Sequence, residues 1–256
     1  MPAATSLPVL ALEDLHEGVL LKRYKRFLAD VQLSSGEVVT AHCANTGPMT
    51  GVLHVGGRVR LRYAPSPTRK LAWTWEQAEV PGADSQPVWV GINTALPNRL
   101  VRATIETGCL EPWLGPIESI RAEVAYGINR RSRIDLLLTP AEGAEDPRPI
   151  YLEVKNTTWC DGDLALFPDT VTERGQKHLQ ELMGVLPEAR AVLVPCLSRS
   201  DLGRFAPGDQ ADPRYGELFR EALEAGVEIL PCRYSFSATS IDWLGVASVQ
   251  AQSEGS

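Results

Sequence analysis

The chain has 256 residues and a formal net charge of −7, with 44% hydrophobic and 22% charged residues. This length accommodates one large domain or two modest domains, each with a core of its own. An acidic chain does not coat nucleic acid by bulk electrostatics, so any contact with DNA has to be local. The five cysteines are scattered, odd in number and without a C-x-x-C pair, which argues against a disulfide framework and a cysteine zinc site.

Residues 1–17 are predicted to form an N-terminal extension. The segment 1–12 carries no positive charge and only a short apolar run, which is not typical of a signal peptide. No stretch of the chain is long and apolar enough to span a bilayer. Together with reduced cysteines, these features predict a cytoplasmic protein without a membrane partner.

Residues 18–92 are predicted to form a five-stranded OB-like β-barrel. Turn-forming residues separate short segments rich in β-branched and aromatic residues, and the first of these segments is long enough to bend. The predicted strands cover residues 18–33, 37–43, 58–64, 71–80 and 87–94.

This domain also contains the candidate nucleic-acid-binding residues. OB-type domains stack bases on aromatic side chains while basic residues follow the phosphates. Basic runs are also found as solvated faces, and alternating aromatic residues also fill cores, so both interpretations stay open. A second basic run, with Arg130, Arg131 and Arg133, lies further along the chain. The candidates in the predicted OB-like domain are Lys22, Arg23, Tyr24, Lys25, Arg26 and Trp75.

The segment 42–51 contains two glycines and a proline. It fits a tight loop whose shape depends on glycine. It equally fits a loop that presents backbone N–H groups to a phosphate. The sequence leaves this choice open.

Residues 93–244 are predicted to form an α/β domain, and residues 245–256 a disordered tail. A first helix is predicted over 98–110. Its Glu106 lies either on a solvated helix face or close enough to the charged residues described below to add a metal ligand. Thr170 and Glu173 predict a capping box for a helix that runs to residue 186. The other predicted elements are strands over 120–126, 133–138, 150–155, 190–197 and 227–232, and a helix over 214–225 ended by Gly226.

Two predicted hairpins bring charged residues together. A hairpin centred near residue 144 places Asp135 opposite Glu153, and a turn around Asn129 places Glu123 opposite Asp135. Side chains alternate along a strand, so Lys155 shares a face with Glu153. Without a shift in register, three carboxylates and a lysine converge on one side of the sheet.

Such a cluster at the border of an apolar core predicts a cation site. Carboxylates held close together repel each other unless a lysine or a divalent ion neutralises them. Oxygen ligands suit Mg²⁺ or Mn²⁺, and we expect Asp135 and Glu153 to bind the ion. The chemistry is phosphodiester hydrolysis, with Lys155 near the nucleophile and Glu123 and Gln176 in support. A solvated face or a cross-strand ion pair would also explain an E-x-K pair.

These residues resemble the PD-(D/E)XK nuclease superfamily, whose motif falls on Asp135, Glu153 and Lys155, with Ile134 where many members have proline. From about Leu20 to about Leu230 the chain resembles the sugar fermentation stimulation protein A family. The segments that carry this resemblance are LKRYKRFLADV (21–31), HCANTGPMTG (42–51), SRID (132–135), EVK (153–155) and FPDTVTERGQKHL (167–179).

The resemblance implies an N-terminal OB-like barrel followed by a nuclease-like domain. It also implies DNA binding that is largely independent of sequence and a proposed regulatory role in sugar (maltose) metabolism. Three functions follow as alternatives: a metal-dependent nuclease, a non-catalytic DNA-binding regulator, or an enzyme acting on a phosphorylated small molecule.

Overall fold

The N-terminal part of the chain forms a ring of β-strands. The computed structural model describes residues 6–127 and 132–251. Its first strands are β1 (Leu7–Ala11), β2 (Leu15–Tyr24), β3 (Leu28–Leu33), β4 (Val38–His42), β5 (Arg58–Tyr63), β6 (Trp73–Pro81) and β7 (Pro87–Gly91). One sheet has the order β4-β3-β2-β5-β6-β7, and an additional parallel pairing of β4 with β6 closes the ring.

The ring has five strands, but they are not the five that the sequence predicted. The single long strand over 18–33 is a hairpin of β2 and β3, because Lys25 and Arg26 adopt positive φ angles of 49° and 66° at its turn. The predicted strand over 87–94 becomes β7, which pairs only with β6 and lies outside the ring.

Trp75 fills the interior of this ring. Its side chain is fully buried among Leu20, Val31 and Leu61, and its indole Nε1 donates a hydrogen bond to the backbone oxygen of Gln77 at 2.9 Å. A buried indole whose N–H is already paired cannot stack on a base. The prediction that Trp75 binds nucleic acid is therefore wrong, since closure of the ring uses it as core.

The rest of the chain forms an α/β domain. Its helices are α1 (Pro97–Glu106), α2 (Glu111–Leu114), α3 (Glu173–Met183) and α4 (Pro213–Ala225). Its long strands are β8 (Ile117–Tyr126), β9 (Ser132–Pro140), β10 (Ile150–Thr157), β13 (Arg190–Leu197), β16 (Cys232–Phe236) and β17 (Ser240–Val246). Its short strands are β11 (Cys160–Asp161), β12 (Leu164–Phe167), β14 (Arg204–Pro207), β15 (Glu228–Ile229) and β18 (Ser248–Val249).

The large sheet has the order β1-β17-β16-β13-β10-β9-β8, with β15 beside β13, and a smaller sheet has the order β11-β12-β14-β18. Helix α1 covers one face, where Leu100 packs with Leu152 and Val154. Helices α3 and α4 cover the other face through residues such as Leu179 and Phe219. Because side chains alternate along a strand, Glu153 faces α3 rather than α1. The predicted order, a ring of β-strands followed by an α/β domain, is confirmed.

Several predicted boundaries differ from the structure. The predicted extension contains β1, which pairs with β17 at the edge of the large sheet, and β2 already begins at Leu15. The predicted disordered tail contains the end of β17 and all of β18, which pairs with β14, while residues 252–256 lie outside the described residues.

The helix boundaries also differ. Helix α1 ends at Glu106, four residues before the predicted end. The N-cap of α3 is Thr172, whose Oγ1 accepts a hydrogen bond from the Gly175 N–H at 3.1 Å, and not Thr170. Among residues 6–127 and 132–251, no helix is long and apolar enough to cross a membrane.

Candidate active site

The predicted registers of both hairpins are confirmed. Leu136 pairs with Leu152 between β9 and β10, and with Ala122 between β8 and β9, as the hairpin centres require. The β9–β10 ladder ends at this pair. Beyond it, Asp135 Oδ2 accepts a hydrogen bond from the Val154 N–H at 2.7 Å. Asp135 and Glu153 are thus brought to the same end of the hairpin.

Asp135 is held from two sides. Its Oδ1 accepts a hydrogen bond from Asn98 Nδ2 at 2.8 Å, while its Oδ2 is bound to the Val154 N–H. Asn98 lies in the first turn of α1, so this helix reaches the site from the opposite side of the sheet. The predicted helix begins at Asn98, but the only signal for a role of this residue is an amide side chain at the helix start.

Glu153 lies at the centre of the cluster and is 2% exposed. Its Oε1 accepts a hydrogen bond from Lys155 Nζ at 2.5 Å and contacts His178 Nδ1. Its Oε2 is buried and, among the described residues, has no hydrogen-bond partner. Buried carboxylate oxygens are nearly always satisfied in folded proteins, so an unpaired one marks a place for a ligand.

His178 is a further residue of the site that the sequence did not assign to it. His178 Nδ1 contacts Glu153 Oε1, and Arg174 Nε donates a hydrogen bond to His178 Nε2 at 3.4 Å. Lys155 Nζ lies 2.9 Å from the same Nδ1. The available signal was that His178 lies four residues before Leu182, and residues four apart share a helix face, here the apolar face toward the sheet.

The two carboxyl groups have opposite pKa shifts. Burial, followed by the negative charge of Glu153, raises the pKa of Asp135. Burial acts against ionisation of Glu153 as well, but the hydrogen bond from His178 and the charge of Lys155 lower its pKa overall. Glu153 therefore stays ionised, and Asp135 takes up the first proton on acidification.

Glu123 does not join this cluster. It is exposed and adopts a positive φ of 54°, which interrupts side-chain alternation between the pairs Ala122–Leu136 and Val124–Ile134. In the described part of the chain, no three His, Cys, Asp or Glu side chains are arranged to hold a metal ion. The predicted convergence of three carboxylates is therefore wrong. Glu106 is also exposed and pairs with Arg102.

Gln176 lies near the site but is bonded elsewhere. Its Nε2 donates to both carboxylate oxygens of Asp212 at 3.0 Å, and Asp212 is the N-cap of α4. Asp212 also accepts a hydrogen bond from the Thr172 N–H. Gln176 therefore ties the starts of α3 and α4 together, and it influences the cluster through the position of α3.

The predicted basic residues form the β2–β3 hairpin tip. Lys25 and Arg26 are exposed at the turn, while Lys22 pairs with Asp30 at 3.2 Å. The hydroxyl of Tyr24 donates a hydrogen bond to the same aspartate at 3.0 Å. Among the described residues, the side chains of Lys25 and Arg26 have no hydrogen-bond or ion-pair partner and can meet a phosphate, whereas Lys22 and Tyr24 both bind Asp30. Arg130 and Arg131 lie outside the described residues.

Arg23 has a structural partner as well. Its guanidinium donates hydrogen bonds to the backbone oxygens of Asn45 and Gly47, both at 2.9 Å. The Gly47 N–H is in turn taken by the side chain of Asn45 at 3.0 Å. These bonds favour a tight loop over an open phosphate-binding nest for the segment 42–51.

The 42–51 loop also contacts the α/β domain. The hydroxyl of Thr94 donates to the Ala44 oxygen at 3.0 Å, and the Thr50 N–H donates to Asp169 at 3.4 Å. Between this loop and the end of β10 lies a cleft of about 290 Å³, lined in part by Asn45 and Lys155. The catalytic lysine of the predicted motif therefore faces a space that both domains line.

A strand ring of the OB type, followed by an α/β domain with an acid and an E-x-K pair on adjacent strands, defines the class of two-domain protein to which this chain belongs. Residues 21–92 match the SfsA N-terminal OB domain, and residues 95–240 match the sugar fermentation stimulation protein RE domain. The chain belongs to the sugar fermentation stimulation protein family, SfsA.

Relatives of known name support this membership. A sugar fermentation stimulation protein homolog of Parasynechococcus marenigrum (strain WH8102) is 78% identical, over 93% of this chain and 94% of the relative. A homolog of the same name from Synechococcus sp. (strain CC9605) is 79% identical, over 93% of each chain. The structure of Pyrococcus furiosus SfsA in complex with Ca²⁺ is similar with a TM-score of 0.83, at 26% identity, over 95% of this chain and 99% of that one.

Proposed function

We propose that this protein binds DNA largely independently of sequence and hydrolyses phosphodiester bonds with a divalent cation held by Asp135 and Glu153. The observation that carries the proposal is the buried, unpaired Oε2 of Glu153, one strand away from Asp135 and next to a lysine. This arrangement supplies what a cation-assisted hydrolase needs: anionic oxygen ligands and a positive charge beside them.

The donor set fits a hard divalent cation. Both candidate ligands are carboxylates, and Mg²⁺ and Mn²⁺ prefer oxygen ligands over nitrogen or sulfur. Ca²⁺, the ion in the P. furiosus SfsA complex, has the same preference. When bound, the ion would stabilise negative charge on the phosphate and make a water molecule more acidic.

Lys155 has the geometry of a charge-stabilising group. Its side chain is 13% exposed, its ammonium is anchored by Glu153 Oε1, and the residue lines the interdomain cleft. A lysine fixed in this way offsets negative charge on a phosphate in the cleft without having to reorganise. His178 limits the positions that the Glu153 carboxylate can take, because it shares Oε1 with the lysine.

The OB domain supplies a path for nucleic acid toward this site. Lys25 and Arg26 are exposed at the hairpin tip, and Arg23 connects the hairpin to the 42–51 loop, which borders the cleft. A short basic patch at the tip of the β2–β3 hairpin suits a protein with a net charge of −7, because binding then depends on local phosphate contacts.

The test is cleavage of single- and double-stranded DNA with Mn²⁺ or Mg²⁺, compared with EDTA. We expect cleavage by the wild type and none by Lys155→Ala, with DNA binding retained. Arg148→Ala, at the opposite end of β10, removes one positive charge and serves as the control. Cleavage that survives Lys155→Ala would contradict the assignment.

One observation favours a second function, that of a non-catalytic DNA-binding regulator of sugar (maltose) metabolism. Both oxygens of Asp135 and the Oε1 of Glu153 are already paired within the protein. These hydrogen bonds satisfy three of the four carboxylate oxygens without a metal ion, as expected of a pocket that is kept for structure and not for catalysis. DNA binding without cleavage at any concentration of Mn²⁺ or Mg²⁺ would support this function over the nuclease.

A further inference from the structure

The interdomain cleft is built from groups that suit a nucleobase. It lies at the carboxyl end of β10 and measures about 290 Å³. Its lining includes Asn45 and Thr94 from the N-terminal side, and Lys155, Asn156, Trp159 and Asp169 from the α/β domain. The cleft is open to solvent, and its lining comes from both sides, so a ligand that fills it contacts both.

Trp159 provides an aromatic surface in this cleft. It lies four residues after Lys155 and is half-buried. Gly208 lies close behind it, since a Cβ at that position would come within 2.9 Å of the indole Cζ3. The Trp159 backbone oxygen also accepts a hydrogen bond from the Leu166 N–H at 2.9 Å. The indole therefore packs closely against Gly208 and lines the cleft, where an aromatic side chain can stack on a base.

Two amide side chains supply hydrogen-bond donors. Asn156 Oδ1 accepts from the Ser198 hydroxyl at 2.6 Å, and Asn45 Oδ1 accepts from the Gly47 N–H. These bonds orient both amides. Within the described residues neither NH₂ group has a partner, so both are available to acceptor atoms on the edge of a base.

The charges in the cleft determine how a bound nucleotide is oriented. Lys155 is the cation in the lining and Asp169 is the anion. A phosphate is attracted to the lysine, which borders the carboxylate pair, and is repelled by the aspartate. An attached base then extends toward the indole and the two amides.

We propose that this cleft holds one unstacked nucleotide of a single DNA strand, with its base on Trp159 and its phosphate beside Lys155. The proposal rests on the nucleic-acid-binding part of the proposed function. A base inside a duplex is paired and stacked on both faces, so it has to leave the helical stack before it can stack on Trp159. Single-stranded DNA is therefore the preferred ligand.

Binding is measured in EDTA, where no cleavage occurs, by fluorescence anisotropy of a labelled 12-nucleotide strand and of its duplex. We expect Trp159→Ala to weaken single-strand binding at least about five-fold, and Trp159→Phe to retain most of the affinity. Trp113→Ala, which removes an indole that is 41% exposed on α2, should leave the affinity unchanged. Equal single-strand affinity of the wild type and Trp159→Ala would overturn the proposal.

A second variant covers the case in which Trp159→Ala does not fold. Asn156→Asp keeps the acceptor for the Ser198 hydroxyl but replaces the NH₂ donor with a negative charge, so we expect a similar loss of single-strand affinity. A strand with 2-aminopurine should also be quenched by the wild type and less so by Trp159→Phe. Unaltered binding by Asn156→Asp together with no quenching would reject the site.

These results separate the inference from the proposed nuclease. A Trp159-dependent affinity in a protein that never cleaves DNA would support the cleft and reject the nuclease. Lys155-dependent cleavage with no effect of Trp159→Ala would do the reverse. If deoxyadenosine monophosphate bound as tightly as the 12-nucleotide strand, the cleft would be a site for small phosphorylated molecules, and the assignment to a DNA strand would fail.

Discussion

The carboxylate of Asp135 accepts a hydrogen bond from the backbone N–H of Val154 at 2.7 Å, one step beyond the last paired residues of β9 and β10. A side chain thus replaces the main-chain partner that the ladder no longer provides. This bond fixes the carboxylate beside Glu153, because Val154 directly follows Glu153 in β10.

Metal binding should stabilise the protein through Asp135. A ligand that binds only the native state raises the free energy of unfolding, by about 2.7 kcal/mol at a concentration 100 times its Kd. We expect Mn²⁺ to raise the Tm of the wild type in differential scanning fluorimetry and to leave the Tm of Asp135→Asn unchanged. This variant should fold, because Asn98 can rotate its amide to accept a hydrogen bond from the new NH₂ group.

The control for the metal experiment is Glu106→Gln, which removes an exposed carboxylate on α1. Its Mn²⁺-dependent rise in Tm should equal that of the wild type. A full rise in Asp135→Asn would show that the ion binds elsewhere.

The raised pKa of Asp135 predicts a pH dependence with a definite sign. Protonation is favoured in the folded state, so the contribution of Asp135 to the stability of the metal-free protein is largest at low pH and is lost as pH rises through its folded pKa. Mn²⁺ binding requires the carboxylate and should weaken as pH falls through the same pKa. Titration calorimetry between about pH 4 and 7 measures this, since an ordinary aspartate stays ionised over most of that range. A Kd that does not change there would contradict the shift.

His178 should determine how readily Glu153 stays ionised. Its hydrogen bond lowers the pKa of Glu153, so His178→Ala should move the acidic limb of Mn²⁺ binding to higher pH. His178→Asn keeps a side-chain donor of similar reach and should restore much of the wild-type profile. The same pH profile for all three proteins would assign His178 to packing alone.

Lys25 and Arg26 should contribute to DNA affinity through phosphate contacts. Each lost contact is expected to reduce the slope of log affinity against log salt by about 0.7 for single strands or about 0.9 for duplexes. Anisotropy titrations of Lys25→Ala and Arg26→Ala at several salt concentrations measure the slope. Arg148→Ala has the same change in net charge, and a matching loss of slope in that control would point to a general charge effect.

Trp75 should contribute to stability and not to DNA contact. Truncating a buried tryptophan typically costs about 3–5 kcal/mol, so we expect Trp75→Ala to lower the free energy of unfolding by this amount in urea denaturation. Trp113→Ala, on the surface, should change it by about 0.5 kcal/mol or less. A stable Trp75→Ala protein that had lost only DNA affinity would reverse the assignment of Trp75 to the core.

Local patterns in the chain were enough to predict the hairpin registers, and with them the approach of Asp135 to Glu153. Side chains alternate with a period of two, and the strongly apolar segments 134–138 and 150–154 each have to bury a face, so a shift of one residue would expose that face. The same reasoning predicted β13 over Arg190–Leu197 and the end of α4 before Gly226, where a left-handed residue with a φ of 100° stops the helix.

Contacts between distant segments decided the rest. Trp75 is buried because β4 pairs with β6 and closes the ring, and His178 reaches Glu153 because α3 packs across β10. Arg23 is taken up by the carbonyls of a loop more than twenty residues away, which no spacing along β2 reveals. Side-chain alternation along a strand and the capping of a helix depend on neighbours in sequence. The burial and the partners of a charged or aromatic side chain depend instead on which remote elements pack against it. The chain therefore specified the carboxylate pair locally, and its tertiary packing selected the histidine, the lysine position and the cleft that surround it.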